Sequence, residues 1–480
     1  MEVSGSAAAS RRALWWTMGA LYFGALMVSL DATVVNIAIP SMARDLQIPD
    51  AYLTWLANAY LSTYGGLMLL TGRLGDVLGH RRIFLIGIFL FTVASFGCGM
   101  ATGPWGLIVG RAVQGVGGAI TSTASLALVR NVFSDSPSRA RAMGIFSLVA
   151  ALGSVLGVVV GGVVTGLWGW HWVFFVNIPV GIAVSIFCLT LIPSDRPGES
   201  YGRLDVGGAL TITASLILAN YALTTVTQAG WTEPDAVGAL IAAGFLILAF
   251  FYIEQRVEFP IFPLDTFKSR NLVVVSVCGA LLSAALITWT FVSSFYLQFL
   301  HHLTPIQAGS AYLPLTASDA LVSIAIVPVL IKRVGLKSLV VWGALLMSVG
   351  IFTYAISATR NASFLSILSG MGALGFGIGL AYGPLLLSVL DSAPETDSGM
   401  ISGVVSTSWT LGGTLGFAGL VSAVTRHSSE LFRPTIDALN VHDSEYQTFF
   451  CVSALIAAAT AVIGGLFIRT SADELQRSPS

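Results

Sequence analysis

The stretch GRLGDVLGHRR, residues 72–82, sets one carboxylate, Asp76, among three arginines and three glycines. Glycine tolerates backbone conformations closed to other residues, so the stretch predicts a tight, charged turn. Apolar runs at 51–71 and 83–102 flank it, and about 20 apolar residues suffice to cross a bilayer as a helix. The turn therefore joins two spanning helices at a membrane face. Composition extends this reading to the whole chain. Of 480 residues, 55% are hydrophobic and 10% charged, where a soluble domain carries about 25% charged residues. The chain reads as an all-α integral membrane protein.

The same template gives fourteen spans, near 13–38, 51–71, 83–102, 105–129, 142–167, 172–192, 206–227, 235–253, 272–299, 306–330, 337–357, 363–390, 399–424 and 447–468. The spans at 206–227 and 235–253 are the weakest, diluted by Thr213 and Asn220. Lysine and arginine counts orient the array. With the N-terminus in the cytoplasm, 18 of the 23 basic residues fall on inner segments, four on outer ones, and Arg111 lies inside a helix. Cytoplasmic loops carry such an excess, and one missed span would invert every later loop. The run from 13 to 40 is too long for a signal-peptide core, so it stays as the first helix. Cys98, Cys188, Cys278 and Cys451 sit in apolar runs without CxxC spacing and read as small core residues. No GxxxxGK[ST] stretch occurs, which argues against drive by ATP. No His/Cys/Glu metal set and no Ser/His/Asp arrangement stands out, so a membrane enzyme or sensor is the remotest reading.

Three charges lie within spans. An Asp at the centre of a spanning helix costs roughly 2.5–3.5 kcal/mol on insertion scales, so each implies a purpose. Asp31, in SLDATVVNIAIP (29–40), lies at a depth similar to Arg111 in RAVQGVGG (111–118). Buried charges in membranes pair or face water, and Asp31 with Arg111 is the expected pair. Asn36 and Gln114 are available to hydrogen-bond beside them. Asp319, in LTASDALVSIAIVP, is expected to be a second protonation or cation-recognition site in the C-terminal half; alternatively, Pro314 breaks the run and Asp319 caps a shorter helix. The fifth span carries a spaced array of Gly144, Gly153, Gly157, Gly161 and Gly162, in which Gly153, Gly157 and Gly161 recur every four residues and leave one helix face bare for close approach of a neighbour.

These motifs, with WGWHWVFFVNIPVG (168–181), FPIFPLDTFKSRNL (259–272) and TPIQAGSAYLP (304–314), resemble the fourteen-helix drug–proton antiporter family of the major facilitator superfamily over nearly the whole chain. Gly72, Asp76, Gly79, Arg81 and Arg82 match its signature loop. Val158 stands where the family's helix-5 motif has proline, and His171 where it usually has arginine. The resemblance implies two six-helix bundles, 1–192 and 272–480, with two helices and a cytoplasmic loop between them in 193–271. It implies bundles that rock around a central cavity lined by helices 1 and 4, and a monomer. Asp391, Glu395 and Asp397, in an inner loop without basic residues, are expected to clasp Arg81 and Arg82 when the cytoplasmic side closes, with Asp76 at the start of helix 13. The implied function is export of lipophilic compounds in exchange for protons across the cell membrane, both termini cytoplasmic, driven by the proton motive force without a cofactor. Its partners are the bilayer, lipophilic small molecules and protons, not nucleic acid. The alternative is a carrier of one metabolite, such as a self-made antibiotic or a siderophore.

Overall fold

The computed structural model describes residues 2–132, 136–192, 205–257, 269–358, 363–390, 398–424 and 443–468. Every described regular element is helical, and eleven helical segments are long and apolar enough to cross a membrane. Large apolar side chains point outward along them. On one helix Ile86, Phe89, Val93 and Phe96 are exposed, Phe89 by 68%, while Phe84, Ile88 and Phe91 behind them are fully buried. An apolar surface this extensive requires lipid rather than water around it.

The chain forms two compact units. Unit 1 comprises residues up to Ile217 together with Phe245–Ile261. Its helices are α1 (Glu2–Asp45), α2 (Asp50–Leu78), α3 (His80–Gly99), α4 (Pro104–Val132), α5 (Ser136–Trp168), the short α6 (His171–Phe175) and α7 (Asn177–Leu191). Next follow α8 (Val206–Ala229) and α9 (Pro234–Glu254), both divided between the units. Unit 2 holds α10 (Arg270–Phe295), α11 (Pro305–Ala311), α12 (Leu313–Leu321), α13 (Val327–Ile356), α14 (Phe364–Leu390), α15 (Ser398–Val424) and α16 (Asp443–Phe467). The pairing scheme repeats: α1 packs on α5, α3 on α4 and α2 on α4 in unit 1, while α10 packs on α15, α13 on α14 and α12 on α14 in unit 2.

Glycine makes these pairings close. Along α5, Gly153 faces Leu26 and Ser29 of α1, Gly157 faces Leu30 and Thr33, and Gly161 faces Val34. The bare stripe and its partner advance together, one turn of α5 against one turn of α1. Gly144 and Gly162 lie in the same helix, which runs unbroken through the buried Val158. Without the motif proline no backbone bond is removed there, and no kink is imposed. In unit 2, Gly412 and Gly416 of α15 meet Ala280 and Ala284 of α10 in the same manner.

The weak spans are real helices. Thr213, one of the residues diluting the apolar signal of α8, donates its hydroxyl to the Gly66 carbonyl of α2 at 2.6 Å. In the same helix Thr224 bonds back to the Asn220 carbonyl at 2.9 Å. Polar side chains inside membrane helices serve as such links.

One expectation needs correction, and one span is irregular. The turn after the second span is not spread over 72–82. Helix α2 continues to Leu78, so Gly72 and Asp76 are helical, and Gly79 alone turns the chain with φ 95° and ψ 130° before α3 starts at His80. The span expected at 306–330 stands as one candidate crossing, Pro305–Ile331, but it is not a regular helix. Tyr312 separates α11 from α12, and residues Val322–Ile326 wind as a π-helix. The turn between the next two spans is Gly335, φ 78° and ψ 163°, inside α13.

The helix contact yields a test. A methyl at position 157 would lie 2.5 Å from the Leu30 carbonyl oxygen and collide with the Thr33 hydroxyl. Gly157→Ala is expected to cost about 1–3 kcal/mol, the usual penalty of overpacking, seen as a lower thermal unfolding midpoint of the detergent-solubilised protein. Gly19→Ala, whose methyl meets nothing within 4 Å, should leave the midpoint in place.

Candidate functional site

Unit 1 gathers its polar side chains around Asp31, which is completely buried in α1. From α4, Arg111 Nη1 lies 2.5 Å from Asp31 Oδ2. One turn further along α4, Gln114 Nε2 donates to Asp31 Oδ1 at 2.9 Å, and Gln114 Oε1 accepts from Arg111 Nη1 at 2.7 Å. From the first turn of α7, Asn177 Nδ2 donates to Asp31 Oδ1 at 2.9 Å. From α3, the Ser95 hydroxyl accepts from Gln114 Nε2 at 2.8 Å. Arg111 Nε donates to the Leu56 carbonyl of α2 at 3.3 Å, and its guanidinium carbon sits 4.2 Å from the centre of the Tyr60 ring. Five helices thus meet at one carboxylate.

The chemistry of this arrangement follows from its composition. The carboxylate accepts three donated hydrogen bonds, one of them charge-assisted, and the guanidinium adds a cation–π contact. Burying either ion alone costs several kcal/mol even after relaxation. Each therefore holds the other, and neutral amides fill the remaining valences. The group is sealed from solvent: Arg111 is 2% exposed. Asn36, five residues beyond Asp31 on α1, is buried but makes no hydrogen bond into this network among the described residues. Ser95, Tyr60 and Asn177 were not singled out from the sequence. Asn177 had a signal, a lone amide in the apolar run VFFVNIPVG, and Gln114 had its spacing of three from Arg111 on the same helix.

The signature loop is held from another direction. Arg81 Nη2 donates to the Leu189 carbonyl near the C-terminus of α7 at 2.8 Å, where the helix dipole favours a cation. Arg82 is exposed. Asp391, Glu395 and Asp397, the expected partners of these arginines, lie outside the described residues. In unit 2, Asp319 sits in α12 and accepts from the Ser323 hydroxyl at 3.1 Å. The bare side of Gly379 in α14 lies against it, a methyl there reaching 3.0 Å from Asp319 Oδ1. Asp319 is half-buried and forms no ion pair among the described residues.

Residues 21–417 match the family model described as Major Facilitator Superfamily. The chain belongs to this superfamily. Several curated members resemble it along most of their length. The puromycin resistance protein pur8 of Streptomyces alboniger is 31% identical over 97% of this chain and 94% of its own. The lincomycin resistance protein of Streptomyces lincolnensis is 34% identical over 86% of this chain and 85% of its own. Among solved structures, the POT family transporter PepTSo superposes with a TM-score of 0.67 at 15% identity, over 98% of this chain and 99% of that one, which shows a shared fold. This major facilitator protein is a multi-pass membrane transporter. Its unit 1 holds the buried Asp31–Arg111 ion pair.

The ion pair predicts a thermodynamic cycle. Arg111→Met strands the Asp31 carboxylate and is expected to cost about 3–5 kcal/mol. The double variant Asp31→Asn/Arg111→Met should recover most of that loss, because no unpaired charge remains. Thermal unfolding of the four proteins measures the coupling; losses that simply add would contradict it. Asn177→Leu, which removes one neutral donor, should cost less, about 1–3 kcal/mol.

Proposed function

We propose that this transporter exports lipophilic antibiotics and related toxic compounds across the cytoplasmic membrane in exchange for protons. The carrying observation is the buried Asp31 carboxylate, held by Arg111, Gln114 and Asn177 at the junction of five helices. Protonating Asp31 removes its charge and leaves Arg111 as an uncompensated buried cation. That state is costly by several kcal/mol and is relieved by any rearrangement of α1 against α4 that offers Arg111 another partner. Proton uptake at this one atom thereby favours a second packing of unit 1. A carrier with two packings, each open to one side, couples a downhill proton to an uphill substrate. Asp319 serves as a second acidic site in unit 2, recognising positively charged substrates.

The relatives support the choice of cargo. They carry names such as multidrug resistance protein Stp from Mycobacterium tuberculosis and tetracenomycin C resistance and export protein from Streptomyces glaucescens. A second reading has support in the same names. Each of the names puromycin, lincomycin, cephamycin and tetracenomycin C specifies one antibiotic or one antibiotic class, so export of one antibiotic is the narrower alternative.

The topology we adopt has fourteen spans. Beyond the eleven apolar segments, α2, α5 and α15 have 29, 33 and 27 residues and are each long enough to cross. Both termini lie in the cytoplasm, on the side that gathers the 18 basic residues. The proton motive force supplies the energy, and the chain works as a monomer.

Inverted membrane vesicles energised acid-inside provide the test. Addition of an antibiotic substrate should dissipate the proton gradient with the natural chain and fail to do so with Asp31→Asn, which keeps the side-chain shape but binds no proton. Equal dissipation by both would exclude Asp31 as the coupling group. Asp319→Asn should retain the response to neutral compounds and lose it for cationic ones.

A further inference from the structure

At the end of unit 1 opposite the Gly79 turn, a cleft of about 520 Å³ opens between the last turn of α1 and the junction of α5 with α6, lined chiefly by Ser41, Arg44, Asp45, Thr165, Trp170 and His171. Its floor is rigid. The buried Trp170 donates its indole N–H to Asp45 Oδ2 at 2.8 Å, and the His171 ring stacks on it with centroids 3.7 Å apart. Arg44 is fixed at one nitrogen only, Nε donating to the Pro40 carbonyl at 3.2 Å. Its terminal nitrogens and Asp45 Oδ1 make no hydrogen bond to a described residue. The Thr165 hydroxyl is buried and unpartnered. The cleft therefore presents an exposed cation and an exposed anion on consecutive residues, each held by one hydrogen bond, with an imidazole and two hydroxyls beside them.

The surroundings set its depth. Trp105, Trp168 and Trp172 ring this end of the unit and are exposed by 62%, 62% and 51%. Exposed tryptophans concentrate where the hydrocarbon meets the headgroups. The cleft thus lies at headgroup level, and the exposed Leu167 and Trp168 adjoin it along the chain, between the lining residues Thr165 and Gly169.

We propose that this cleft binds the headgroup of a membrane phospholipid carrying a primary amine, the phosphoethanolamine type. The phosphate lies against the Arg44 guanidinium, with His171 and the hydroxyls beside it. The ammonium lies against Asp45 Oδ1, to which its N–H groups donate, and an acyl chain runs along Leu167 and Trp168. Each part of the ligand answers a feature of the wall. A purely anionic headgroup leaves Asp45 unmatched, a quaternary ammonium offers it no hydrogen-bond donor, and a soluble zwitterion leaves Leu167 and Trp168 unused.

Native mass spectrometry of the full chain in detergent tests this with an equimolar mixture of phosphatidylethanolamine, phosphatidylcholine and phosphatidylglycerol of matched acyl chains. The natural chain should retain phosphatidylethanolamine over phosphatidylglycerol by roughly tenfold. Arg44→Gln should lower retention of all three lipids, whereas Asp45→Asn should lower only phosphatidylethanolamine, to the level of phosphatidylcholine. Equal retention of the three lipids by the natural chain would overturn the proposal, and that comparison needs no variant to fold. Retention of phosphatidylethanolamine unchanged in both variants would also overturn it. Displacement of the bound lipid by an equal concentration of glycerophosphoethanolamine would overturn the lipid assignment in favour of a soluble zwitterion.

Discussion

The buried pair of Asp31 and Arg111 constrains everything around it in unit 1. Neither ion survives alone in that environment, so the helices that carry and satisfy them are bound to one relative placement. α1 brings the carboxylate and α4 the guanidinium. α3 and α7 bring the hydroxyl and amide of Ser95 and Asn177, and α2 brings a carbonyl and the Tyr60 face. Replacing such a pair with apolar residues often stabilises a soluble protein.

The pair depends on close helix approach, which glycine supplies. The stripe of Gly153, Gly157 and Gly161 brings α5 against the face of α1 that carries Leu26, Leu30 and Val34. Asp31 occupies a neighbouring position on α1 and is directed toward α4 and α7. One helix thus uses one side for packing and another for polar chemistry. In water, burial of apolar surface would drive this assembly, but lipid is as apolar as leucine and supplies little such drive. Backbone proximity and internal hydrogen bonds carry the load, and the hydroxyl-to-carbonyl contacts of Thr213 and Thr63 across helix boundaries are further instances.

Unit 2 repeats the pairing of helices without repeating the chemistry. Its α10 and α15 approach through Gly412 and Gly416, but an aromatic nest replaces the ion pair. Trp289, Tyr312, Tyr354 and Tyr296 are fully or almost fully buried within it, and the Tyr312 and Ser293 hydroxyls are hydrogen-bonded to each other. The acidic residue Asp319 lies on α12 and is partly open. The asymmetry places a buried ion pair in one unit and, in the other, a carboxylate that accepts from the Ser323 hydroxyl.

The sequence by itself determined the helical membrane class, eleven of the expected spans and the pairing of Asp31 with Arg111. Each of these follows from local, one-dimensional quantities: the length of apolar runs, a rise per residue, and the cost of a charge in hydrocarbon. It also marked the glycine stripe of α5, because a spacing of four is a face. Three things were decided only by tertiary structure. Where α2 ends was one, since GRLGDVL reads as polar and turn-prone, yet its backbone bonds are satisfied as helix up to Gly79. The break at Tyr312 and the π-helical turn after Asp319 were another, since the apolar run continues through both. The last was the membership of the polar network. Asn177 and Ser95 lie 146 and 64 residues from Asp31 along the chain, and no spacing rule links them. Only the packing of α3 and α7 against α1 and α4 puts their donors and acceptors within reach of one carboxylate.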